Sequence, residues 1–478
     1  MSNIIAQIAE KVVDDILKIL AERGISNIEK VAEELNDVLK EGTLSIMSAA
    51  IKDLDDMIWQ AKEDRRKDGL TVKARNVERT CLTGLGELRY RRTYYQCKDG
   101  EKIYLVDHLI GVEEYVRVSK ELCAKLVRNA AGMSMQKAAK VENVSVSRQT
   151  VNNKVLAMKE AVASVERVEK TPPELHLFAD EDHIHLRPKG GTYVPLVTVT
   201  EGIDTTDPKR HRTINPLHFQ GYGVGSSEFI ENVISAMYER YDMEKVRVVY
   251  IHADGGNWIR KIGDLLPNPI YIMDGFHLEK YFKKLCRLNG AQPYAGVLRQ
   301  AILRNDFESF ARYCAAIREK QDEAGKKKMA EPVIYFQNNW ESIVERMSGR
   351  YCGSCTEPLI SHVLSERMSR NPLAWSREGL AKMAMLRVFT QNGGSVTADL
   401  IRVSRSKKER KKDYNSLKNG FSLYNQYAEK QAKSIFGTPH DWSIFEREHV
   451  LPALTNGKTV GISTLLNVYS HFRSFSAS

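Results

Sequence analysis

The chain has 478 residues, of which 42% are hydrophobic and 28% are charged, and its formal net charge is +10. This length excludes a single ordinary domain and predicts a soluble protein of several domains, each with its own core. The excess of basic residues attracts polyanions rather than repelling them, and nucleic acid is the leading class of partner.

The cysteine pattern indicates a reducing compartment. Seven cysteines are scattered along the chain, an odd number that does not make a disulfide framework. The pair Cys352 and Cys355 has no second pair at zinc spacing, so we expect it to pack in a core. The first residues lack a signal-peptide pattern, and no window approaches the ~18 apolar residues of a membrane span. The sequence therefore predicts a cytoplasmic protein with no membrane association.

The N-terminal region, residues 1–78, has the apolar spacing of helices. One amphipathic helix is predicted from Asn3 to Arg23, with Gly24 as its C-terminal cap. Residues 27–39 and 45–67 predict two more helices, separated at Gly42. We expect this region to serve packing or self-association rather than direct DNA contact.

Residues 79–116 change to a period of two and predict a basic β-hairpin. The strand at 88–95 is followed by turn residues at 98–100 and a second strand at 103–106. Arg91 and Arg92 stand among tyrosines, and arginine with aromatic rings suits a sugar-phosphate backbone. The alternative is an ordinary solvated strand face. The residues concerned are Arg89, Tyr90, Arg91, Arg92, Tyr94 and Tyr95.

Residues 117–170 return to helical spacing and predict a helix-turn-helix. Ser147 has the character of an N-cap, and Arg148 and Gln149 lie in the first turn, where a recognition helix reaches base edges. A plain helical hairpin is the alternative interpretation. Thr171-Pro-Pro173 then ends the helix and marks a domain boundary.

Residues 174–278 predict a catalytic core. The order is three antiparallel strands, a helix, and then strand, helix, strand, helix, which is expected of a ribonuclease H-like sheet. The fold class predicted for the whole chain is therefore multidomain α+β, with helical N-terminal regions before a ribonuclease H-like α/β core.

Acidic residues interrupt the first strand of this core. The segment from Leu175 to Leu186 is apolar except where Asp180, Glu181 and Asp182 stand together, and unpaired carboxylates in a buried strand are costly. Asp254 comes after the fourth strand, which is adjacent to the first in the predicted topology. Two carboxylates brought together favour a divalent cation, and oxygen ligands favour Mg²⁺, with Mn²⁺ as the alternative. Two such ions would suit an in-line phosphoryl displacement.

A third carboxylate is expected from a helix packed on the sheet. Glu357 precedes Pro358, which suits the first turn of a helix, whereas Glu366 stands beside Arg367 and suits a surface pair. We favour Glu357 and keep Glu366 as the alternative.

Three neighbours of these acids have open roles. Strand alternation places Asp182 on the face of Asp180, as a solvated neighbour that tunes the site or as a further ligand, and places Glu181 on the other face. His277 comes after the fifth strand and either orients a phosphate or carboxylate or is a structural histidine.

Together these residues resemble an insertion-sequence transposase of the Asp-Asp-Glu type, within the Mutator-like group. The most similar family is the ISLre-type family of Gram-positive bacteria, whose members are often described only as an uncharacterised protein family. In that group the first aspartate leads to an arginine, as Asp180 leads to Arg187, and the second precedes small residues, as Asp254 does. A Cys-x-x-His signature comes next; here it reads Asp274-Gly-Phe-His277.

The resemblance covers about Gly84 to Gly394 and carries further implications. Related families place a glutamate ten residues before an arginine, with a tryptophan soon after, and Glu357, Arg367 and Trp375 have that spacing. This favours Glu357 as the third acid and makes Arg367 a possible supporting residue. The resemblance also implies a helical insertion at 279–350 and a closing segment at 351–395. The remaining region, 396–478, is basic at residues 402–412, as a tether or a phosphate-contacting arm.

The leading functional hypothesis is a DNA transposase in which Asp180, Asp254 and Glu357 hold two Mg²⁺. Water would cut the phosphodiester at the element end, and the freed 3′-hydroxyl would attack target DNA. The alternatives are a structure-selective nuclease of the same fold, or a DNA-binding regulator derived from a transposase without catalysis. A homo-oligomer on DNA and association with the nucleoid are expected, since two element ends must be held together.

Overall fold

A computed structural model describes residues 2–24, 27–98, 100–207, 211–348, 355–369 and 374–402. They form two compact units, an N-terminal unit of residues 2–119 and a C-terminal unit of residues 120–402. Cys352 and all but the first residues of the predicted basic C-terminal region lie outside the described residues. Within the described ranges the cysteines carry free thiols, and Cys355 is buried as expected. Among the helices described, none combines the length and apolar character needed to cross a bilayer.

The N-terminal unit combines helices with an antiparallel sheet of order β1-β2-β3. Its helices are α1 (Ser2–Arg23), α2 (Ile28–Gln60), α3 (Lys62–Lys67) and α4 (Leu105–Leu109), and its strands are β1 (Thr71–Thr83), β2 (Gly86–Gln96) and β3 (Lys102–Ile103).

The long helix α2 corrects the prediction of a break at Gly42. The helix continues through this glycine, which is buried. A Cβ at Gly42 would stand 2.3 Å from a methyl carbon of Val12 in α1, so the glycine permits close approach of the two helices. The prediction for α1 itself is confirmed, with Gly24 at φ +59 after its last residue.

The hairpin also differs from its prediction. Strand β2 pairs along its length with β1, which the sequence pattern did not predict, and β3 has only two residues before helix α4 begins. The register of β1 shifts between Val72 and Ala74 and again between Ala74 and Val77, so the period of two is lost in its first half.

Arg92 was predicted to contact DNA, but it is an interior residue. Its guanidinium pairs with the buried carboxylate of Asp107 and lies 3.5 Å from the ring centroid of Tyr104. Asp107 also accepts hydrogen bonds from Arg79 and, at 2.7 Å, from the hydroxyl of Tyr90. Desolvation lowers the pKa of Arg92. The guanidinium is therefore committed to the core of this unit.

The other residues nominated on the hairpin divide by exposure. Tyr90 and Tyr95 are buried, so they cannot stack on bases. Arg91 is exposed and pairs with Glu78 at 3.3 Å, and Arg89 is exposed and pairs with Glu87. Of the nominated arginines, the exposed ones remain candidates for phosphate contact.

The C-terminal unit is a mixed sheet surrounded by helices. Its strands are β4 (Glu174–His185), β5 (Gly191–Thr200), β6 (Ile203–Asp204), β7 (Arg212–Thr213), β8 (Leu217–Gln220), β9 (Val248–Ala253) and β10 (Pro269–Met273). Its first helices are α5 (Lys120–Gly132), α6 (Met135–Val141), α7 (Arg148–Leu156), α8 (Ser226–Arg240) and α9 (Asn257–Gly263). The later helices are α10 (Gly275–Cys286), α11 (Ala295–Leu303), α12 (Phe307–Glu319), α13 (Glu323–Asn338), α14 (Trp340–Met347), α15 (Thr356–Ile360), α16 (Glu366–Met368) and α17 (Arg377–Gln391).

The five-stranded sheet has the order β10-β9-β4-β5-β8. Strands β4, β5 and β8 are antiparallel neighbours, and β9 and β10 run parallel to β4. The third strand was predicted from 213 to 220, but β8 begins at Leu217 because Asn215 has φ +48 and Pro216 lacks a backbone donor. The adjacency predicted for the strands that carry Asp180 and Asp254 is confirmed.

The two faces of this sheet are packed differently. Leu175, Leu177 and Ala179 of β4 point into a hydrophobic core shared with α8 and α9. On the opposite face His176 contacts His252 of β9, with 3.0 Å between ring nitrogens, and Phe178 stacks on His252. The alternation of β4 therefore separates an aliphatic face from a polar and aromatic face, and Asp180 belongs to the second.

Two helical regions flank the sheet within this unit. Residues 117–170 contain α5, α6 and α7, one helix more than the predicted pair, and the small residues Ala138 and Ala139 of α6 are buried as expected. The insertion predicted at 279–350 is helical, begins earlier at α10, and gathers α10–α14 around a core of its own.

Candidate functional site

Asp180 and Asp254 lie level with each other at the carboxyl end of β9. The parallel pairing of β4 with β9 ends at Phe178 opposite His252, so two further residues along each strand bring Asp180 beside Asp254. Asp254 stands in the bend after β9, where its Oδ1 accepts from the N–H of Gly256 at 2.9 Å. The register of two neighbouring strands therefore creates the acidic pair.

Glu357 joins this pair, and Glu366 does not. Glu357 is an exposed residue in the first turn of α15, a helix that packs against β4, and its charge acts on Asp180. Glu366 is exposed in α16, where its charge acts on Arg387. These contacts favour the first of the two glutamates that the sequence offered, and its role as a ligand stays a prediction.

The surroundings of Asp180 disfavour its charged form. The pKa of Asp180 is raised to about 6, mainly by burial and to a smaller extent by the charges of Asp254 and Glu357. The N–H of Glu181, 2.8 Å from Oδ1, and the side chain of His277 act in the opposite direction. A carboxylate that resists ionising beside two other acids is one that a bound cation would relieve.

Asp274 is a buried acid at the same edge of the sheet, and the sequence reasoning did not nominate it. It comes directly after β10, donates its N–H to the carbonyl of Ala253 at 2.8 Å, and caps α10 by accepting from Phe276 and His277 N–H groups. The signal was available, since both Asp254 and Asp274 come after a buried strand and precede a glycine.

His277 stands between Asp274 and the acidic pair. Its Nδ1 lies 3.4 Å from Oδ2 of Asp274, and this contact raises the pKa of His277, against the effect of burial. The charges of Asp180 and Asp254 raise it further. His277 therefore senses the charges of the acidic pair, and its role in orienting a phosphate or carboxylate stays a prediction.

Asp182 and Glu181 separate as the strand alternation predicted, but Asp182 is not solvated. It is 8% exposed, and the hydroxyl of Ser369 donates to its carboxylate at 3.3 Å. Burial raises the pKa of Asp182, and the hydroxyls of Ser365 and Ser369 lower it. Glu181 faces the other side, where the indole of Trp258 donates to it.

The helical insertion closes on the loop after Asp254. Gly255 has φ +94, and a Cβ there would stand 2.4 Å from Oδ1 of Asn339, so this position admits only glycine. Tyr335 of α13 donates its hydroxyl to the sulfur of Met273, and the charges of Asp254 and Asp274 help to raise its pKa. This contribution could not be predicted from the sequence, because it depends on residues far apart in the chain.

Arg367 is a buried link between helices. It is 2% exposed, its Nε donates to the carbonyl of Ala130 in α5 at 2.7 Å, and it lies 5.0 Å from the ring of Trp375. Burial lowers its pKa to about 10. These contacts give Arg367 a structural role, and its support of the acidic site stays a prediction.

The predicted recognition residues are exposed at the start of α7. The Oγ of Ser147 accepts from the N–H of Thr150 at 3.1 Å, which confirms the N-cap. Arg148 and Gln149 come next on the surface, and Gln149 donates to Asn153 at 2.8 Å. These side chains are placed as a helix-turn-helix requires, and DNA binding by them stays a prediction.

The acidic residues fit a hard divalent cation by their chemistry. Asp180, Asp254 and Glu357 offer carboxylate oxygens only, and their charges oppose one another. In the described part of the chain no three His, Cys, Asp or Glu side chains are already gathered at ligand distance. One oxygen each of Asp180 and Asp254 is instead engaged by a neighbouring backbone N–H, so these side chains would turn to form a ligand set.

Fold and site together define a class: an α+β protein with three carboxylates converging at the edge of a mixed sheet. The chain belongs to the uncharacterised protein family UPF0236, whose model matches residues 20–406. It is 33% identical over 406 residues to the UPF0236 protein TTE0610/TTE0881/TTE1053/TTE2432 of Caldanaerobacter subterraneus subsp. tengcongensis, covering 82% of this chain and 85% of that one. A second UPF0236 protein of that strain, whose name runs from TTE0033 to TTE2212, is also 33% identical, over 80% and 81%.

Proposed function

We propose that the protein is a DNA transposase that cuts at element ends and joins them to target DNA by metal-dependent phosphoryl transfer. The single observation that carries this proposal is the convergence of Asp180, Asp254 and Glu357, with the pKa of Asp180 raised to about 6. The strand order β10-β9-β4-β5-β8, antiparallel on one side of β4 and parallel on the other, supports a ribonuclease H-like core.

The names of the relatives give a second line of support. One joins four designations and the other joins eleven designations within a single strain. Repeated copies of one protein in one genome are what a mobile element leaves behind. The net charge of +10 and the exposed Arg148 and Gln149 at a helix start are consistent with DNA as the partner.

Each residue of the site would have its own task in this reaction. Asp180, Asp254 and Glu357 would hold the cations, with Mg²⁺ favoured and Mn²⁺ accepted by the same oxygens. Bound divalent ions would supply Lewis-acid activation and stabilise charge on the phosphoryl group. His277, which lies 3.4 Å from Asp274, would in its protonated form donate a hydrogen bond to a phosphate oxygen. The helices α5–α7 would position the element end, and the same site would serve water and then the 3′-hydroxyl.

A cleavage and joining assay tests this proposal. Purified protein is incubated with Mg²⁺ and duplex DNA that carries the ends of the element encoding the gene. We expect nicking at the ends and joining of precleaved ends to a target plasmid, both lost in Asp254→Asn. Cutting without joining would identify a nuclease of the same fold. DNA binding that is indifferent to Mg²⁺, with no nicking, would identify a regulator and overturn the proposal.

A further inference from the structure

The helix that carries Glu357 contains a local irregularity. Helices α15 and α16 are joined by a π-helix, Ser361–Ser365. Such a turn accommodates one extra residue, rotates the later part of the helix relative to the earlier part, and leaves backbone carbonyls without their regular partners. The phase between Glu357 and the residues after 365 therefore depends on this turn.

Arg387 of α17 takes up the carbonyls in this turn. Its Nε donates to the carbonyl of Val363 at 2.8 Å, and one terminal nitrogen donates to the carbonyl of His362. Its other terminal nitrogen donates to the carbonyl of Ala131 in the last turn of α5, at 3.1 Å. One side chain of α17 thus joins the π-helix to α5, the first helix of the predicted helix-turn-helix region.

Burying a guanidinium to make these contacts costs desolvation free energy. Arg387 is 6% exposed, and burial lowers its pKa. The planar fork of arginine fixes several acceptors in one arrangement, whereas the single ammonium of lysine cannot span them. The carbonyl of Ala131, near the end of α5, also carries partial negative charge, which stabilises the cation together with the charge of Glu366. The arrangement suits a residue that fixes the position of the π-helix relative to α5 and α17.

The π-helix leads directly to the acidic strand. Ser365 lies at its end and Ser369 stands four residues later, and both hydroxyls act on the carboxylate of Asp182. Asp182 is two residues from Asp180 on the same face of β4. Glu357, one turn before the π-helix, acts on Asp180 itself. Both ends of the irregular helix therefore meet the strand at the acids.

We infer that Arg387 is a positioning residue: it fixes the π-helix so that Glu357 and Asp182 are held against Asp180, and it couples that arrangement to α5. This inference rests on the proposed function where it concerns cation binding. Its geometric part concerns the chain alone and can be tested without any cation.

The first test is hydrogen exchange of the full chain in EDTA, measured by mass spectrometry. We expect Arg387→Lys to speed exchange in residues 356–369 and in 122–132 together. The matched control is Arg128→Lys, since Arg128 of α5 also donates to a carbonyl, that of Val396 at 2.8 Å, without touching the π-helix. The control should affect α5 and leave 356–369 unchanged. Unchanged exchange of 356–369 in Arg387→Lys would overturn the inference.

The second test is Mn²⁺ affinity, measured by electron paramagnetic resonance on folded protein. We expect Arg387→Lys to weaken binding about tenfold, as loss of an orienting partner commonly does, and Arg128→Lys to bind like the wild type. Equal affinity in all three proteins, or an equal loss in both variants, would contradict the positioning role. If Arg387→Lys does not fold, Ser369→Ala replaces it, with the same loss expected and unchanged exchange in α5.

The two proposals fail in different ways. A wild-type protein that binds no Mn²⁺ contradicts the proposed function, and the exchange experiment still decides whether Arg387 sets the helix. A wild-type protein that binds Mn²⁺ and loses it in Asp254→Asn, but not in Arg387→Lys, supports the function and contradicts the positioning role.

Discussion

Asp107 in the N-terminal unit is buried and Asp180 in the C-terminal unit is partly buried, but their surroundings are opposite. Asp107 is 1% exposed and is held by Arg79, Arg92 and the hydroxyl of Tyr90. Asp180 has acids for neighbours, Asp254 and Glu357, and its pKa is raised to about 6. The first carboxylate is paired with arginines, whereas the second has a backbone N–H and a histidine against two acids.

This difference separates a structural acid from a functional candidate. A buried charge that the fold neutralises holds elements together, whereas a charge cluster that the fold leaves unbalanced costs stability and calls for a partner from outside. The same rule applies to the arginines. Arg92 is paired with Asp107, so its positive charge is not available to DNA. In the sequence, however, it stands among arginines that are exposed.

The largest expected effect is on stability, when Asp107, the acid paired with arginines, is replaced. Asp107→Asn would leave Arg79 and Arg92 without their carboxylate, and we expect the free energy of unfolding to fall by about 3–5 kcal/mol. Urea unfolding of the full chain, monitored by fluorescence and circular dichroism, measures this. A loss below ~1 kcal/mol would show that the arginines find other partners and that the contrast with Asp180 is overstated.

The next effect separates the two glutamates. We expect Glu357→Gln to lower Mg²⁺-dependent DNA cleavage by at least a hundredfold, about 3 kcal/mol of transition-state stabilisation. Glu366→Gln, which faces Arg387 instead, should cleave like the wild type. Quantified gel assays under single-turnover conditions give both rates. Equal activity of the two variants would remove Glu357 from the site.

The unbalanced charge also predicts an unusual pH dependence. Because the pKa of Asp180 is raised to about 6, its contribution to stability is present at low pH and is lost as the pH rises through 6. Asp180→Asn should therefore exceed the wild type by ~1–2 kcal/mol at pH 7.5 in EDTA and match it near pH 4. Unfolding curves across this range test the sign. A variant less stable than the wild type at pH 7.5 would mean that Asp180 is satisfied.

The buried histidines of the same unit respond in the opposite direction. Burial lowers the pKa of His176 and His218 to about 4 and that of His252 to about 3, from an ordinary value of 6.5. Their contribution to stability is present above pH 6.5 and is lost as the pH falls towards 4. Asp180→Asn, which lacks the opposing contribution, should show a steeper loss between pH 6.5 and 4 than the wild type.

The smallest effect concerns the hairpin. Arg91→Ala removes only an exposed pair with Glu78, so we expect the free energy of unfolding to change by less than about 0.5 kcal/mol. If the exposed arginines contact phosphate, the slope of log affinity against log salt should fall by about 1 in DNA binding titrations. An unchanged slope would leave the hairpin as an ordinary solvated face.

The sequence predicted those features that depend on neighbouring residues. The helix α1, the N-cap at Ser147 and the strands that carry Asp180 and Asp254 result from local period and capping chemistry, and strand adjacency then brings the acids together. It did not predict that Gly42 lies within a helix, because the reason is a methyl group of Val12 thirty residues earlier.

Features that depend on contacts between distant parts of the chain could not be predicted from the sequence. The π-helix at 361–365 leaves no mark in side-chain pattern, so the role of Arg387 at its carbonyls could not be predicted. The commitment of Arg92 to Asp107 and the approach of Asn339 to Gly255 depend in the same way on contacts between separate elements. The sequence showed which residue types are present, and the fold was needed to show which of them are already engaged by other residues.

The most direct test of the unbalanced acidic site is a Mn²⁺ titration of the full chain, monitored by electron paramagnetic resonance. We predict saturable binding by the wild type at neutral pH, lost in Asp180→Asn and in Asp254→Asn and retained in Glu366→Gln. Wild-type protein that leaves the Mn²⁺ signal unchanged, or aspartate variants that bind as the wild type does, would contradict a cation site at these acids.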